Sequence, residues 1–434
     1  MYICCNYYTI NNNNKNLTRR FAGFFSFIEQ TMVKKTLQLY RNSFMGLSPE
    51  IWWLALITFI NRAGTMVIPF LSLYLTKDLE FTLPQVGWIM SAFGVGSFLG
   101  SWLGGKLTDK VGYYKVMFWS LLLTGFLFIG LQYIRTFWGF MIAIFLIMTV
   151  ADTFRPAIFV SLNAYSKPEN QTRSLTLIRL AINLGFSFGP FLGGLIIAGL
   201  SYNGLFWIDG ITCILAIVVF KTVLKNKEFI KKEKEVEEVN TKSSIFKDKA
   251  YWIFLIIVFL MGFTFMQLFS TMPLYYVDIY GLTEVEIGLL MSMNGAIIFL
   301  TEMPIIHKLE ESSIDRIKII FWSLLLFAAS FFVLNISYGI SILIISMIII
   351  TIAEMLAFPF TNSFAMTKAV KGKEGLYMAL YAMAFSLAHI FSAKTGMEIV
   401  DRFGFDANWY LMGFLCLIAV LLSIWLRSLL RMKN

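Results

Sequence analysis

The sequence contains few charged residues and few of the side chains that bind metals or form disulfides. Only 14% of its 434 residues are Asp, Glu, Lys or Arg, and it holds two histidines and four cysteines. Soluble domains carry about 25% charged residues, so the composition excludes an ordinary soluble protein. Two cysteines lie near the amino terminus and two inside apolar runs, without metal-like spacing to His307 or His389. We therefore expect no disulfide framework, no metal site and no cofactor.

Apolar residues dominate what is present. The sequence is 58% hydrophobic and 17% aromatic, with 43 phenylalanines, which is typical of a protein that crosses the membrane many times. The net charge of +10 does not indicate nucleic-acid binding, because no basic stripe interleaved with aromatic residues occurs outside the segments that flank apolar runs. We predict an all-α membrane protein whose surroundings are the lipid bilayer.

Polar breaks divide the sequence into segments of about 20 apolar residues, the length that a helix needs to cross a bilayer. The segments predict twelve transmembrane helices, numbered here as spans 1 to 12: 52–75, 86–107, 116–135, 137–162, 174–198, 205–224, 250–276, 285–306, 317–335, 339–365, 375–399 and 408–428.

The distribution of positive charge predicts the orientation of these spans. With both termini in the cytoplasm, only Lys77, Arg135 and Arg402 of the 36 Lys and Arg residues lie in external loops. Four more lie within spans, so 29 flank the cytoplasmic ends, where Lys and Arg are retained. We expect a bacterial-type inner membrane protein with both termini cytoplasmic, acting as a monomer.

Two polar segments lie outside the predicted bundles, one between them and one at the amino terminus. Residues 225–249 mix both signs of charge without an apolar stripe and predict a cytoplasmic linker between six-helix bundles at 46–224 and 250–430, although a regulatory docking segment is an alternative. Residues 1–45 predict a disordered extension or an incorrectly assigned start, because Met32 begins a more ordinary membrane-protein terminus.

The two halves are related by an internal repeat. A Thr-x-x-x-x-Gly pattern precedes span 2 at Thr82 and span 8 at Thr283, and in each half another glycine follows seven residues later. In span 4, Val-Ala-Asp152 matches Ile-Ala-Glu354 in span 10. Duplicated halves with one orientation are the layout of transporters whose substrate site lies at the midplane between the halves.

A polar turn between spans 2 and 3 is the most distinctive motif. Its defining residues are Gly105, Asp109, Lys110, Gly112 and Lys115. Their spacing resembles the loop 2–3 signature of the major facilitator superfamily, except that Tyr113 and Tyr114 replace the usual bases. The resemblance covers about residues 45–430 and implies that fold. It also implies that Asp109 holds helix ends and cations so that the cytoplasmic side closes in one state; the alternative is a topological anchor only.

A second motif lies in span 5 and consists of Gly185, Gly189, Pro190, Gly193 and Gly194. It resembles the glycine and proline signature of the drug and proton antiporters of that superfamily, which implies export. Small residues at four-residue spacing also allow helices to approach closely, and a proline permits a bend, so helix packing alone is an alternative explanation of the motif.

Ionisable residues inside the membrane are costly and usually serve a function. The candidates are Arg62, Asp152, Arg155, Arg179 and Glu354. Asp152 or Glu354 would carry a proton, and Arg62 and Arg179 would bind an anionic group or a carboxylate. The alternative for Asp152 and Arg155, three residues apart, is a structural ion pair. In span 11, Lys394 and Glu398 are expected to pair, and His389 either titrates or packs.

These observations predict a secondary transporter that works by alternating access, namely a proton-coupled exporter of drug-like or other small molecules. Proton-coupled uptake of a peptide, sugar or organic anion is the alternative within the same class. A membrane enzyme lacks support, since no catalytic or metal constellation is recognisable, and a non-transporting receptor is the remaining alternative.

Overall fold

The computed structural model describes residues 46–63, 66–167, 170–226, 248–310, 312, 314–336, 339–369 and 374–431. The predicted extension and all but the ends of the predicted linker lie outside these residues. The described residues are almost entirely helical and contain no strand. Spans 1 to 6 comprise the helices Pro49–Ala63 with Val67–Leu73, Leu83–Val111, Tyr113–Leu131, Phe137–Ala151 with Phe154–Tyr165, Gln171–Leu200, and Tyr202–Val223. Spans 7 to 12 comprise Lys249–Phe265 with Thr271–Asp278, Glu284–Glu310, Arg316–Val333, Ile340–Lys368, and the continuous run Glu374–Arg431.

The described residues include eleven helices that are long and apolar enough to cross a membrane, and the last of them accounts for two predicted spans. It is 58 residues long, which corresponds to about 87 Å at the α-helical rise, far more than a hydrocarbon core of about 30 Å. The backbone leaves the helical conformation at Gly404 (φ 84°, ψ 174°), a region that glycine enters without steric cost. Gly404 lies between the predicted spans 11 and 12, so the structure agrees with twelve spans.

Span 1 is interrupted near its middle, which the apolar pattern does not predict. Its first helix ends at Ala63 and its second begins at Val67. The carboxylate of Asp209 in span 6 accepts hydrogen bonds from the backbone N–H groups of Met66 (3.1 Å) and Val67 (3.0 Å). Because the first N–H groups of a helix have no partner within it, this buried carboxylate satisfies two donors that would otherwise face the membrane interior.

Span 7 is interrupted near the equivalent position of the second half. A short 3₁₀ turn, Met266–Phe269, separates its two helices. The buried side chain of Gln267 donates to the hydroxyl of Ser392 in span 11 (2.9 Å) and accepts from Thr271 (2.6 Å). The first span of each half is therefore interrupted, and polar side chains from the same half form hydrogen bonds at the interruption.

The halves are packed tightly at the end of the molecule that carries the 1–2, 5–6 and 7–8 loops, the predicted external end. Spans 5 and 8 approach through glycine, since a Cβ added to Gly194 would lie 2.9 Å from the Cα of Val285. Spans 2 and 11 approach in the same way, and the hydroxyl of Ser91 donates to the carbonyl of Ile390 (2.6 Å). Backbone contact without intervening side chains closes this end.

Two polar contacts join the halves at the same end. The ammonium of Lys77, after span 1, lies 2.6 Å from the carboxylate of Asp278, after span 7. Both residues precede their repeated threonine by five positions, so they are equivalent in the two halves. The hydroxyl of Tyr202 donates to the carboxylate of Glu284 (2.9 Å). These pairs are partly exposed, and exposed pairs contribute about 0–1 kcal/mol, so the glycine contacts are the stronger part of the closure.

Replacing Gly194 by Ala is expected to weaken this closure. The new Cβ would overlap the backbone carbonyl oxygen of Glu284, which cannot rotate away as a side chain would. Overpacking of this kind costs about 1–3 kcal/mol, so the thermal unfolding midpoint of the purified protein should fall. Gly199→Ala, in the same helix with nothing within 4 Å of the added atom, is the control and should unfold as the unaltered protein does. Equal midpoints for the two variants would contradict the role assigned to Gly194.

Candidate functional site

Two adjoining cavities lie between the halves. The larger has a volume of about 850 Å³ and is lined by spans 1, 2, 4, 5, 7, 8, 10 and 11. The smaller, of about 200 Å³, lies mainly against the first half. Arg155, Phe186 and Phe385 line both. The larger cavity reaches Trp102 and Met383, which lie in the parts of spans 2 and 11 nearest to the 2–3 and 10–11 loops, the predicted cytoplasmic end. The cavity is thus placed away from the closed end.

Glu354 lies in the wall of the larger cavity. The side-chain amide of Asn294 in span 8 donates to its carboxylate (3.0 Å) and also to the hydroxyl of Thr351 (3.0 Å). Among the described residues, no Lys or Arg side chain lies within salt-bridge distance of this carboxylate. The surrounding wall is rich in aromatic rings, namely Phe98, Trp102, Phe265, Phe269, Phe358, Tyr381 and Phe385. Glu354 is therefore an acidic group in an aromatic cavity with an amide as its partner.

Asp152 lies in the smaller cavity, at a break in span 4. The first helix of the span ends at Ala151, and Asp152 and Thr153 form a turn before the second helix begins. The hydroxyl of Ser97 in span 2 donates to the Asp152 carboxylate. Asp152 and Arg155 both line this cavity, although the helix is not continuous between them. The described contacts of Asp152 do not include an ion pair with Arg155, so the structural-pair alternative finds no support.

The two cavity-lining arginines are placed differently. The guanidinium of Arg62, at the end of the first helix of span 1, lies over the ring of Phe186 at 5.9 Å from its centroid. Span 5 can approach Arg62 this closely because Gly185 has no side chain there. Arg155 is exposed within the cavities and lines both of them. Positive charge is thus concentrated on the first-half side of the central space.

Arg179 does not line either cavity. Its guanidinium lies 3.1 Å from the carboxylate of Glu302 in span 8, and the amide of Asn183 donates to the same carboxylate (3.0 Å). In this structure the partner of Arg179 is thus a carboxylate of the opposite half, and its predicted role in the transport site stays a prediction. The sequence does not predict this pair, because nothing in it indicates which residues of spans 5 and 8 face each other.

Span 11 lines the smaller cavity with Phe385, Ser386, His389 and Ala393, and it forms an ion pair outside that cavity. The imidazole of His389 lines that cavity and packs against Phe93, with 5.1 Å between the ring centroids. The predicted pair in this span is confirmed, since the Lys394 ammonium lies 2.6 Å from the Glu398 carboxylate. The same ammonium lies over the ring of Trp88 in span 2. His389 is thus a packed residue with access to the cavity.

Among the described hydrogen bonds and ion pairs, none joins the predicted gating loop to the other half. The helix of span 2 continues to Val111, and Gly112 (φ 86°) then starts span 3. Asp109 and Lys110 are exposed. The nearby ammonium of Lys106 lies over the ring of Trp102, 3.8 Å from its centroid. This arrangement is what a loop that closes only in another state would show, and it is equally compatible with a topological anchor.

The glycine motif of span 5 is a packing surface with two sides. Gly185, Gly189 and Gly193 face span 1 around its interruption, and Gly194 faces span 8. Pro190 lines the larger cavity, and its carbonyl oxygen meets Gly288. The packing explanation of this motif is therefore present in the structure, and the motif also shapes the cavity by allowing Arg62 and span 8 to come close.

Sequence reasoning missed Asp209, which is fully buried and holds the interruption of span 1. The signal was available, because an aspartate inside a predicted apolar span meets the same criterion as Asp152. Asn294 was missed as well, and no sequence pattern distinguishes it from other polar residues.

Across the described residues, His, Cys, Asp and Glu side chains form no group of three that could hold a metal ion.

Comparison with known proteins identifies the family. A model described as the Major Facilitator Superfamily matches residues 54–393. YqjV, an uncharacterised MFS-type transporter of Bacillus subtilis (strain 168), is 24% identical over 380 residues, which cover 86% of this chain and 92% of the relative. A Na⁺, Li⁺, K⁺/H⁺ antiporter of Planococcus maritimus is 21% identical, with 85% and 93% covered. Multidrug resistance protein 2 of Bacillus subtilis (strain 168) is 20% identical, with 77% and 84% covered.

Solved structures show the same architecture. A crystal structure of a mutant of the nucleoside transporter NupG aligns with a TM-score of 0.74 at 14% identity and covers 87% of this chain and 99% of that one. At this identity the likeness shows the fold and no more. Together with a family model that spans most of the sequence, it means that this integral membrane chain, a transporter and not an enzyme, belongs to the Major Facilitator Superfamily.

Proposed function

We propose that the chain is a secondary active transporter that exports lipophilic, positively charged small molecules in exchange for protons. The observation that carries this proposal is the position of Glu354, an acidic group in an aromatic cavity with an amide as its described partner. Aromatic faces attract cations, and a carboxylate adds a full charge at one point of the same wall. A flat apolar cation fits both features.

Exchange follows from competition at Glu354. A carboxylate that holds a proton is neutral and no longer attracts a cation, and a carboxylate paired with a cation does not take up the proton. Binding of substrate therefore releases the proton, and binding of the proton releases substrate. The proton binds only the ionised, unoccupied carboxylate, and the cation binds only the deprotonated one, so each ligand displaces the other. Proton movement in one direction is thereby coupled to substrate movement in the other.

Alternating access requires that the cavity opens to one side at a time. The halves meet at the predicted external end, and the larger cavity extends toward the 2–3 and 10–11 loops. We propose that this is the inward-facing state, and that Asp109, Lys110 and Lys115 engage neighbouring helix ends when the cytoplasmic end closes. The duplicated halves supply the two related arrangements that such a cycle needs.

The names of the relatives support exchange rather than uptake, since one is an antiporter of alkali cations and protons and another is a multidrug resistance protein. The bacterial origin of these relatives and the predicted charge asymmetry support an inner membrane location with both termini cytoplasmic. We propose a monomer, because each half finds its partner within the same chain.

Uptake by proton symport is the second candidate, and Arg155 favours it. This arginine is exposed in both cavities, and among the described contacts no carboxylate pairs with it. The anionic group of a peptide, a sugar acid or another organic anion would satisfy it. Proton binding at Glu354 would then make the cavity more positive and strengthen anion binding, so proton and substrate would travel together.

The luminal pH of inverted membrane vesicles distinguishes the two candidates. The lumen is acidified first, and then a lipophilic cation such as tetraphenylphosphonium is added outside. Export by exchange should raise the luminal pH, because protons leave as the cation enters. A symporter should respond only when an anionic peptide or sugar acid is preloaded in the lumen, and protons should then leave with it.

Vesicles that contain the Glu354→Gln variant provide the baseline for both measurements. A cation-dependent pH change that is equal in these vesicles arises elsewhere and would argue against the proposal. A response to the preloaded anion alone would replace export with uptake, whereas the response to the cation alone is the result we expect.

A further inference from the structure

A second large cavity lies outside the transport site, at the predicted cytoplasmic end of the second half. Its volume is about 850 Å³, and it is enclosed by the ends of spans 8, 9, 10 and 12. Its lining is partly apolar, with side chains of Leu309, Ile314, Phe360, Phe364 and Leu430. It also contains the four cationic side chains of Arg316, Lys368, Arg427 and Arg431. None of these residues lines the two central cavities.

The acidic side chains near this cavity only partly balance the four cations. Asp315 lies 3.3 Å from the guanidinium of Arg427, and Asp248 lies 4.0 Å from the ammonium of Lys368. Arg316 donates to the neutral hydroxyl of Thr367 (3.0 Å). The cavity therefore keeps an excess of positive charge, and the pairs that reduce it are weak because they are partly exposed.

Three of the four cations lie at the ends of membrane-spanning helices. Arg316 is the first residue of the span 9 helix, Lys368 the last of the span 10 helix, and Arg431 the last of the span 12 helix. Helix ends lie at the level of lipid headgroups. Positive residues there usually serve topology alone, and each then extends separately into water. Here, in contrast, residues from three helices surround one concave space with an apolar wall.

We propose that this cavity binds the phosphate group of an anionic phospholipid, with the cations around the phosphate and the apolar wall against the acyl chains. Basic pockets between transmembrane helices on the cytoplasmic side are suited to such headgroups. Arginine is well matched to phosphate because its guanidinium donates two parallel hydrogen bonds. The lipid would link the ends of spans 9, 10 and 12, independently of the substrate cavity.

Lipid binding to the purified full-length protein tests the proposal. The lipid-depleted protein in detergent is titrated with dioleoyl phosphatidylglycerol, with dioleoyl phosphatidylcholine, and with inorganic phosphate alone, and binding is followed by native mass spectrometry and by the thermal unfolding midpoint. Phosphatidylglycerol should bind and raise the midpoint more than phosphatidylcholine does. Each Lys or Arg near an anionic lipid contributes about 1 kcal/mol, so the Arg316→Gln, Arg431→Gln double variant should bind phosphatidylglycerol about 30-fold more weakly.

The control removes the same number of cations from the same membrane face. Lys221→Gln, Lys225→Gln alters exposed lysines at the end of span 6, outside the cavity, and should bind phosphatidylglycerol as the unaltered protein does. Equal binding of the two lipids, or an equal loss in the control variant, would overturn the site. A full stabilisation by inorganic phosphate alone would overturn the assignment to a lipid.

Discussion

Replacing Glu354 by Gln is expected to abolish proton-driven transport and to leave the protein folded. Glutamine has nearly the same shape and keeps an oxygen that accepts from Asn294, so the contacts of span 10 with span 8 are preserved. It cannot exchange a proton or carry a negative charge. Substrate-dependent proton movement in inverted vesicles should therefore fall to the level of empty vesicles, while the thermal unfolding midpoint stays close to that of the unaltered protein.

Glu398→Gln is the matched control. This glutamate lies in span 11 and pairs with Lys394 and Arg402 outside both cavities, so the same chemical change should leave transport intact. Unaltered transport by the Glu354 variant would rule out its role in coupling. Loss of transport together with a large fall in the unfolding midpoint would assign Glu354 to structure instead.

Asp152 is the competing candidate for the proton, and its surroundings make it the weaker one. Ser97 donates to its carboxylate, and two guanidinium groups, those of Arg62 and Arg155, line the same small cavity. Two fixed positive charges thus already line the cavity that contains Asp152 before any substrate arrives. Glu354 lacks such a cation among its described contacts, so its carboxylate attracts a proton or a cationic substrate more strongly.

The membrane explains why so much of the fold was predictable. A helix that crosses a bilayer must be long and apolar, and its flanking cations are retained on one side, so the number and order of spans follow from composition. The continuous run Glu374–Arg431 shows the limit of this argument, since its helix passes the predicted end of span 11 and turns only at Gly404. Hydropathy predicts only the part of a helix that lies in the hydrocarbon core. Backbone hydrogen bonds can continue the same helix beyond that part.

The interruptions of spans 1, 4 and 7 were not predictable in the same way. A break in a membrane helix exposes backbone groups and persists only where other side chains satisfy them. Those side chains come from distant positions: Asp209 is 143 residues from Met66, and Gln267 is 125 residues from Ser392. Apolar periodicity records the local helix and carries no information about partners so far away.

The candidate site was predictable as a set of residues and not as an arrangement. Charge inside an apolar span identified Arg62, Asp152, Arg155, Arg179 and Glu354. The structure divides them, because Arg179 joins spans 5 and 8 through Glu302 and the other four line the cavities. A contact between helices depends on their rotation, which a single sequence does not determine.

The equivalent pair Lys77 and Asp278 illustrates how duplication contributes to the closed end. Repeat-related positions face each other where the two halves meet, so opposite charges at these positions attract across the interface. The same repeat also pairs Asp152 with Glu354 in sequence, yet these two carboxylates have different partners. Equivalent positions in the two halves thus share their place in the fold but differ in their hydrogen-bond partners.

Replacing Asp209 by Leu is expected to destabilise the protein strongly and to abolish transport. Leucine has the same branching and number of side-chain heavy atoms but no acceptor, so the N–H groups of Met66 and Val67 would remain unsatisfied in the membrane interior. Each unsatisfied buried group costs about 1–3 kcal/mol. Loss of the interruption would also displace Arg62, which ends the preceding helix beside the cavity. The thermal unfolding midpoint and proton-coupled transport of the purified, reconstituted protein measure both effects.

Two further variants separate the carboxylate from a general effect of the substitution. Asp209→Asn keeps one acceptor oxygen, so its midpoint should lie between those of Asp209→Leu and the unaltered protein. Asp401→Leu removes an exposed aspartate just beyond span 11 and should leave both the midpoint and transport unchanged. If Asp209→Leu behaves like Asp401→Leu, the break in span 1 does not depend on this carboxylate. If Asp209→Asn retains transport, hydrogen bonding rather than charge at this position maintains the cavity.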